Sequence, residues 1–237
     1  MIDPPLYRHD PIEQIQPDVF MARGEIKLNA LMTISRNMAI VRHGDELTLV
    51  DPIRLSPDEE KRLEELGSVK RVLRLGSFHG VDDPYYLDRY GAELWAPGRS
   101  ETHPEPEPTV TWDEATPLPF PDAVLFRFEG PKQPEGALLL RRGNGLLITC
   151  DAIQHYGDYS HNNRIARIMM PLIGFPKTTI VGPMWVKMMT PEGGSLGSEF
   201  QRLLELEFDQ LLSAHGTFLA AGAHAACERA VDKMYAG

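Results

Sequence analysis

Apolar and polar positions first fall into a regular pattern at Met38-Ala39-Ile40-Val41-Arg42 and Leu47-Thr48-Leu49-Val50-Asp51, on either side of His43-Gly44-Asp45-Glu46. Two short apolar runs around a Gly-Asp turn predict a β-hairpin. Ser56-Pro57-Asp58-Glu59 then predicts a helix start. Serine can cap, proline suits the first helical position, and Glu59 can reach back to complete a capping box. Leu63 and Leu66 share one face of this helix, and Gly67 stops it. Val69 to Leu75 alternates as a strand, 84–90 reads as a short helix, and Ala92 to Ala96 as another strand. Residues 1–30, punctuated by Pro4, Pro5, Pro11 and Pro17, predict an irregular N-terminal arm across a sheet edge. The domain proper is then 31–237.

Residues 101–121 are rich in proline and acid and predict a surface connection. Strand character returns at Ala123 to Phe128. A second hairpin follows, Ala137 to Leu140 and Leu146 to Asp151 around Arg142-Gly143-Asn144-Gly145. Helical spacing marks 199–213 and 220–234, with Phe200, Leu203, Leu204, Phe208, Leu211 and Leu212 as an apolar stripe. Between the second hairpin and these helices, 152–197 reads as an insertion holding Met169, Met170, Met184, Met188 and Met189, half of the chain's ten methionines. Such a stretch is apolar and adaptable. It suits a core or dimer-facing segment, or a lid that accepts the apolar part of a substrate. The order of strands and helices predicts an α/β layered architecture.

Composition narrows the function classes. At 237 residues and 42% hydrophobic content, the chain can bury one sizeable core. No apolar run approaches the roughly 18 to 20 residues needed to span a bilayer, and no basic-then-apolar leader is visible at Met1-Ile2-Asp3-Pro4-Pro5. A cytoplasmic protein with no membrane partner is the expectation. A net charge of −10 argues against nucleic acid as a partner. Cys150 and Cys227 have no ligand spacing, and Cys150 reads as a small buried hydrophobe. Neither a Gly-x-Ser-x-Gly elbow nor a Gly-x-Gly-x-x-Gly fingerprint is present.

Four segments, taken in order, resemble the metallo-β-lactamase fold superfamily. They are the hairpin ending at Asp51-Pro52, the run Val72 to Asp83 through Gly76-Ser77-Phe78-His79-Gly80, the strand Leu146 to Asp151, and Ser213-Ala214-His215-Gly216. The resemblance implies a four-layer αββα sandwich with a one- or two-metal site at one sheet edge, and hydrolysis in most branches. The superfamily's metal loop reads His-x-His-x-Asp-His. With His79 in first place, Asp83 takes the aspartate place, while Val81 and Pro84 stand where histidines belong. Placing His79 second instead puts Val81 at the aspartate.

The implied ligands are therefore His79, Asp83, Asp151 and His215, with Asp83 also able to take a proton from bound water. Two imidazoles and two carboxylates suit zinc, iron or manganese in one open site. Asp82, Glu129, Glu135, His155 and His161 are open substitutes for missing ligands, and His9, His43, His103 and His224 read as solvated. Structural roles compete: Asp83 before Pro84 suits a helix N-cap, and Asp151 ends a strand. The resulting expectation is a metal-dependent hydrolase with a reduced mononuclear site and a small-molecule substrate, with a homodimer through the Met-rich segment as a possible assembly. The alternative is a member that has lost its metal and serves as a binding or scaffolding protein.

Overall fold

The structure is a computed structural model that describes residues 4–235. Its first sheet runs in chain order: β1 (Glu13–Gln16), β2 (Val19–Lys27), β3 (Thr33–His43), β4 (Glu46–Val50), β5 (Ser68–Leu73), β6 (Glu93–Ala96) and β7 (Val110–Thr111). Antiparallel pairing through β4 gives way to parallel pairing from β4 to β7. Parallel neighbours need crossovers. Helix α1 (Pro57–Leu66) supplies the first and α2 (Asp83–Tyr90) the second. After them come β8 (Ala123–Arg127), β9 (Gly136–Leu140), β10 (Leu146–Thr149), β11 (Ile153–His155), α3 (Arg164–Leu172), β12 (Thr179–Val181), α4 (Pro183–Met189), α5 (Gly197–Leu204), β13 (Gln210–Ser213) and α6 (Ala223–Tyr235). The second sheet has the order β13-β10-β9-β8, and β11 pairs with β12 alone.

Three apolar clusters define four layers. Between the sheets, Val19, Ala39, Val41 and Leu73 meet Leu138, Leu140, Ile148 and Leu212. On the outer face of the first sheet, Ile40, Leu49 and Val72 pack against Leu63 of α1 and Tyr86 of α2. On the outer face of the second, Leu139, Leu147 and Leu211 pack against Trp185 of α4, Phe200 of α5 and Val231 of α6. Alternate residues of a strand point to opposite faces, so Met38 to Val41 of β3 and Leu146 to Ile148 of β10 feed two clusters each and read as continuous apolar runs. The αββα sandwich implied by the resemblance is present.

Three local expectations change. Residues 13–27 are not an irregular arm, because β2 is a nine-residue strand paired along its length with β3. Its prolines lie outside the paired stretch and do not break it. Residues 210–213 are strand β13, not the end of a helix; the apolar pair Leu211-Leu212 is buried on both faces of a sheet, a pattern that helical spacing also allows. The proline-rich connection also sends Trp112 and Phe120 into the core, almost fully buried, and Trp112 Nε1 donates to the Arg74 carbonyl at 3.3 Å.

The outer cluster depends on aromatic contacts around Phe200, whose ring lies 5.3 to 5.7 Å from those of Phe128, Tyr235 and Trp185. Phe200→Ala is expected to cost about 3–5 kcal/mol. Urea unfolding checks this: the midpoint should fall with the denaturant slope unchanged.

Candidate metal centre

The geometry of the site begins with strand register. β10 and β13 are parallel, with Thr149 opposite Ser213. Asp151 and His215 each lie two residues beyond that pair, so both emerge from the same edge of the second sheet. Gly216 follows with φ +88, and a Cβ there would lie 2.0 Å from the His155 carbonyl oxygen. Only glycine allows the turn that presents His215. His79 comes from the loop after β5 in the first sheet, which closes in a turn where the His79 N–H donates to the Gly76 carbonyl at 3.2 Å.

These three side chains meet. His79 Nε2 lies 3.3 Å from His215 Nε2 and 3.5 Å from Asp151 Oδ2, and His215 Nε2 lies 3.3 Å from Asp151 Oδ1. All three are mostly or fully buried. His215 Nδ1 is 2.7 Å from the Ser35 carbonyl, which can only accept, so that nitrogen carries the proton. In neutral His215 the Nε2 lone pair therefore faces Asp151 and His79, the tautomer a metal ligand needs.

Charge follows from the same contacts. Burial pushes the His79 pKa down to about 3 against the pull of Asp151, with Arg36 and His215 adding to the fall, so His79 is neutral at ordinary pH. Burial also works against a charged His215, but its hydrogen bond to Asp151 and the carboxylate's charge raise its pKa above the usual value. Burial pushes Asp151 up, yet the hydrogen bond from His215 and the nearby imidazoles leave its pKa lowered. The Asp151 carboxylate thus favours positive charge on His215, while burial keeps it off His79.

Asp83 does not join this group. It opens α2, where its Oδ2 accepts from Arg74 Nε at 2.7 Å, with both side chains 1% exposed. A buried guanidinium requires a counter-ion, and Asp83 provides it. Asp82 is likewise engaged by buried Arg36, whose Nη2 also donates to the Pro52 carbonyl at 2.9 Å. The loop between β5 and α2 therefore turns both carboxylates toward arginines and leaves His79 facing the second sheet. Gly80, with φ +145, has the Arg74 guanidinium against it, and a Cβ there would come within 2.8 Å of Nη2.

Glu135, fully buried just before β9, supports the site from below. Its Oε1 accepts from the Asp151 and Ala152 N–H groups at 3.1 and 2.7 Å, and its Oε2 from Trp185 Nε1 at 2.6 Å. It fixes the backbone that carries Asp151. Glu129 is exposed on the loop between β8 and β9. His161 pairs with Asp10 at 2.7 Å, and His155 Nδ1 faces Thr179 Oγ1 at 2.8 Å. Of the four histidines read as solvated, His43 is exposed, whereas His9, His103 and His224 are partly buried. His9 Nε2 accepts from the Ser56 N–H, and the ring of His224 contacts the Leu204 carbonyl.

Arg36, Arg74, Ser35 and Gln154 belong to the site's surroundings and are not singled out by sequence spacing, and Asp51 is marked only as the end of the first hairpin. A cationic residue inside an apolar strand, as in Leu73-Arg74-Leu75, is the signal that marks Arg74. Gln154 Nε2 donates to Asp151 Oδ1 at 3.1 Å, and Tyr156 Oη donates to Gln154 Oε1 at 2.7 Å. Asp51 has φ 46, a left-handed conformation that aspartate tolerates better than most residues, and its Oδ1 accepts from the Leu75 N–H at 2.9 Å. Asp51, His79 and Cys150 form a second buried group of potential donors, all within 4.8 Å of one another.

The donor set of His79, Asp151 and His215 fits a small divalent ion. Ligands about 2.0–2.1 Å from a tetrahedral ion stand about 3.3–3.4 Å apart, close to the three separations here. Three protein ligands leave the fourth position open.

Two predictions follow from the buried charges. Burial raises the Asp51 pKa to about 7, so between about 4 and 7 the folded state holds a proton that the unfolded chain has released. Stability from this group is present at low pH and lost as pH rises to 7. Asp51→Asn should remove that loss, gaining on the wild type by up to about 4 kcal/mol across the window in urea titrations at pH 4 and 7. Arg74→Ala, which strands Asp83, should cost about 3–5 kcal/mol, and Arg74→Met with Asp83→Leu should recover most of it by the same measurement.

Comparison with solved structures places the fold among known ones. The chain is similar to a metallo-β-lactamase from Erythrobacter litoralis, at TM-score 0.64 and 16% identity over 93% of this chain and 90% of that one. It is similar to DIM-1 metallo-β-lactamase at TM-score 0.66 and 11% identity, covering 98% of this chain and 100% of the other. It also resembles FIM-1 from Pseudomonas aeruginosa in its mono-zinc form, at TM-score 0.61 and 14% identity over 95% and 96% of the two chains. No protein-family profile matches the chain, and no curated protein matches it in sequence.

Proposed function

We propose that this chain, which has the metallo-β-lactamase fold, binds one divalent metal ion through His79, Asp151 and His215 and acts as a metal-dependent hydrolase on a small-molecule substrate. The observation behind this reading is the mutual 3.3–3.5 Å spacing of an imidazole pair and a carboxylate on three separate segments. Zinc suits two nitrogens and one oxygen with an open position, and iron or manganese is compatible with the same donors. Such an ion lowers the pKa of bound water and polarises a carbonyl or phosphoryl oxygen.

The protein's own residues contribute orientation. The Ser35 carbonyl holds the His215 tautomer, Gln154 holds one oxygen of Asp151, and Glu135 anchors the backbone beneath it. The Arg74–Asp83 pair makes Asp83 a positioning residue for the loop that carries His79, rather than a group aimed at substrate. Asp151 and His215, 13% and 12% exposed against 4% for His79, form the approachable edge.

A second reading, a metal-free binding or scaffolding protein, is favoured by Val81 and Pro84 at the places of two superfamily histidines. Elemental analysis separates the two. Protein purified after supplementation should carry about one ion per chain, and His215→Ala should fall below about 0.1 with its circular dichroism unchanged. Wild-type protein that itself stays below that level would establish the metal-free reading.

A further inference from the structure

Away from the metal-ligand group, the surface departs most from the ordinary in its apolar exposure. Twelve large apolar side chains are exposed among the described residues, and nine of them fall in two segments, 28–31 and 165–188. The segments adjoin. Asn163, which caps α3, donates from Nδ2 to the Leu31 carbonyl at 2.8 Å and from its N–H to the Thr33 carbonyl at 3.1 Å. Helix α3 buries only Ala166 and Met170, while Ile165, Ile168 and Leu172 stand 45, 66 and 74% exposed. Gly174 lies against Pro183 and so joins the end of α3 to the start of α4, where Met184 and Met188 are half exposed. At the β2–β3 tip, Leu28 and Leu31 are 57 and 65% exposed. Scattered exposed leucines need no explanation, but a concentration on one face does.

Charge within these two segments has one sign. In a chain of net charge −10, no aspartate or glutamate occurs from 26 to 44 or from 159 to 191. Lys27, Arg164, Arg167, Lys177 and Lys187 are all exposed there. A second copy paired about a two-fold axis would set this basic rim against itself. An anionic bilayer surface satisfies both features together: apolar tips enter the acyl boundary while lysine and arginine heads reach the phosphates. The patch joins the β2–β3 hairpin tip to the exposed side of α3.

We propose that this face docks on an anionic lipid surface, with α3 lying in the plane of the interface. Among the described residues no helix is long and apolar enough to cross a membrane, so the attachment is peripheral. It is independent of the metal reading.

Co-sedimentation of the full chain with vesicles tests the assignment. Binding is expected to phosphatidylcholine vesicles containing phosphatidylserine, and to weaken in high salt as surface charge is screened. Arg164→Gln with Lys187→Gln should weaken it about fivefold per charge removed. Ile168→Glu with Leu172→Glu, both at exposed positions, should abolish it while leaving the thermal melt unchanged. Absence of binding to the anionic vesicles overturns the proposal. So does a dimer in sedimentation velocity that the Ile168→Glu, Leu172→Glu variant dissociates, if the vesicles bind neither protein.

Discussion

Two buried arginines set the course of the loop on which the rest of the site depends. Arg36 and Arg74 are almost without solvent contact, and each holds one carboxylate of the Asp82-Asp83 pair. Taking a guanidinium out of water is tolerable only with a close counter-charge and further hydrogen bonds. That requirement draws Asp82 and Asp83 inward at the start of α2. The residue left facing the second sheet is His79, which meets Asp151 and His215 there. The loop's conformation is thus an electrostatic solution first and a donor arrangement second.

The same logic extends beneath the site. Glu135 is as buried as the arginines but is satisfied by N–H donors instead of a cation. Its pKa is pushed well up, by burial first and by the charge of Asp151 next. Asp51 is raised for the same leading reason. The sheet edges therefore concentrate ionisable groups whose charges are settled by one another, with the apolar clusters above and below excluding water. A small change at any of these positions redistributes charge among its neighbours.

Much of this was legible in the sequence, for identifiable reasons. Both hairpins, α1, α2 and the strands leading to His79 and Asp151 follow from turn residues and apolar spacing. The order of the four resembling segments gave the sandwich. The strand β2 was hidden because prolines at its flanks read as an irregular arm until pairing with β3 is known. Strand β13 was hidden because a buried apolar pair is compatible with either period. Asp83 could be assigned from spacing alone only while Arg74 had no place in the reading; its partner lies nine residues earlier and becomes a neighbour through the turn at Gly80. The exposed face of α3 lies within the Met-rich stretch that the sequence marks as apolar and adaptable, but composition does not say which of its side chains stay outside.

The parallel pairing of β10 with β13 has a consequence for how such a chain can diversify. Asp151 and His215 are placed by one ladder, each two residues past the Thr149–Ser213 rung. Between β11 and β12 the chain makes one excursion, through α3, that leaves and re-enters on the β11–β12 pair beside that ladder. Segments there can be lengthened, shortened or exchanged without disturbing the distance between the two side chains. The chain thus separates a fixed scaffold coordinate from a region free to vary, and recognition around these two side chains can change by replacing the excursion alone.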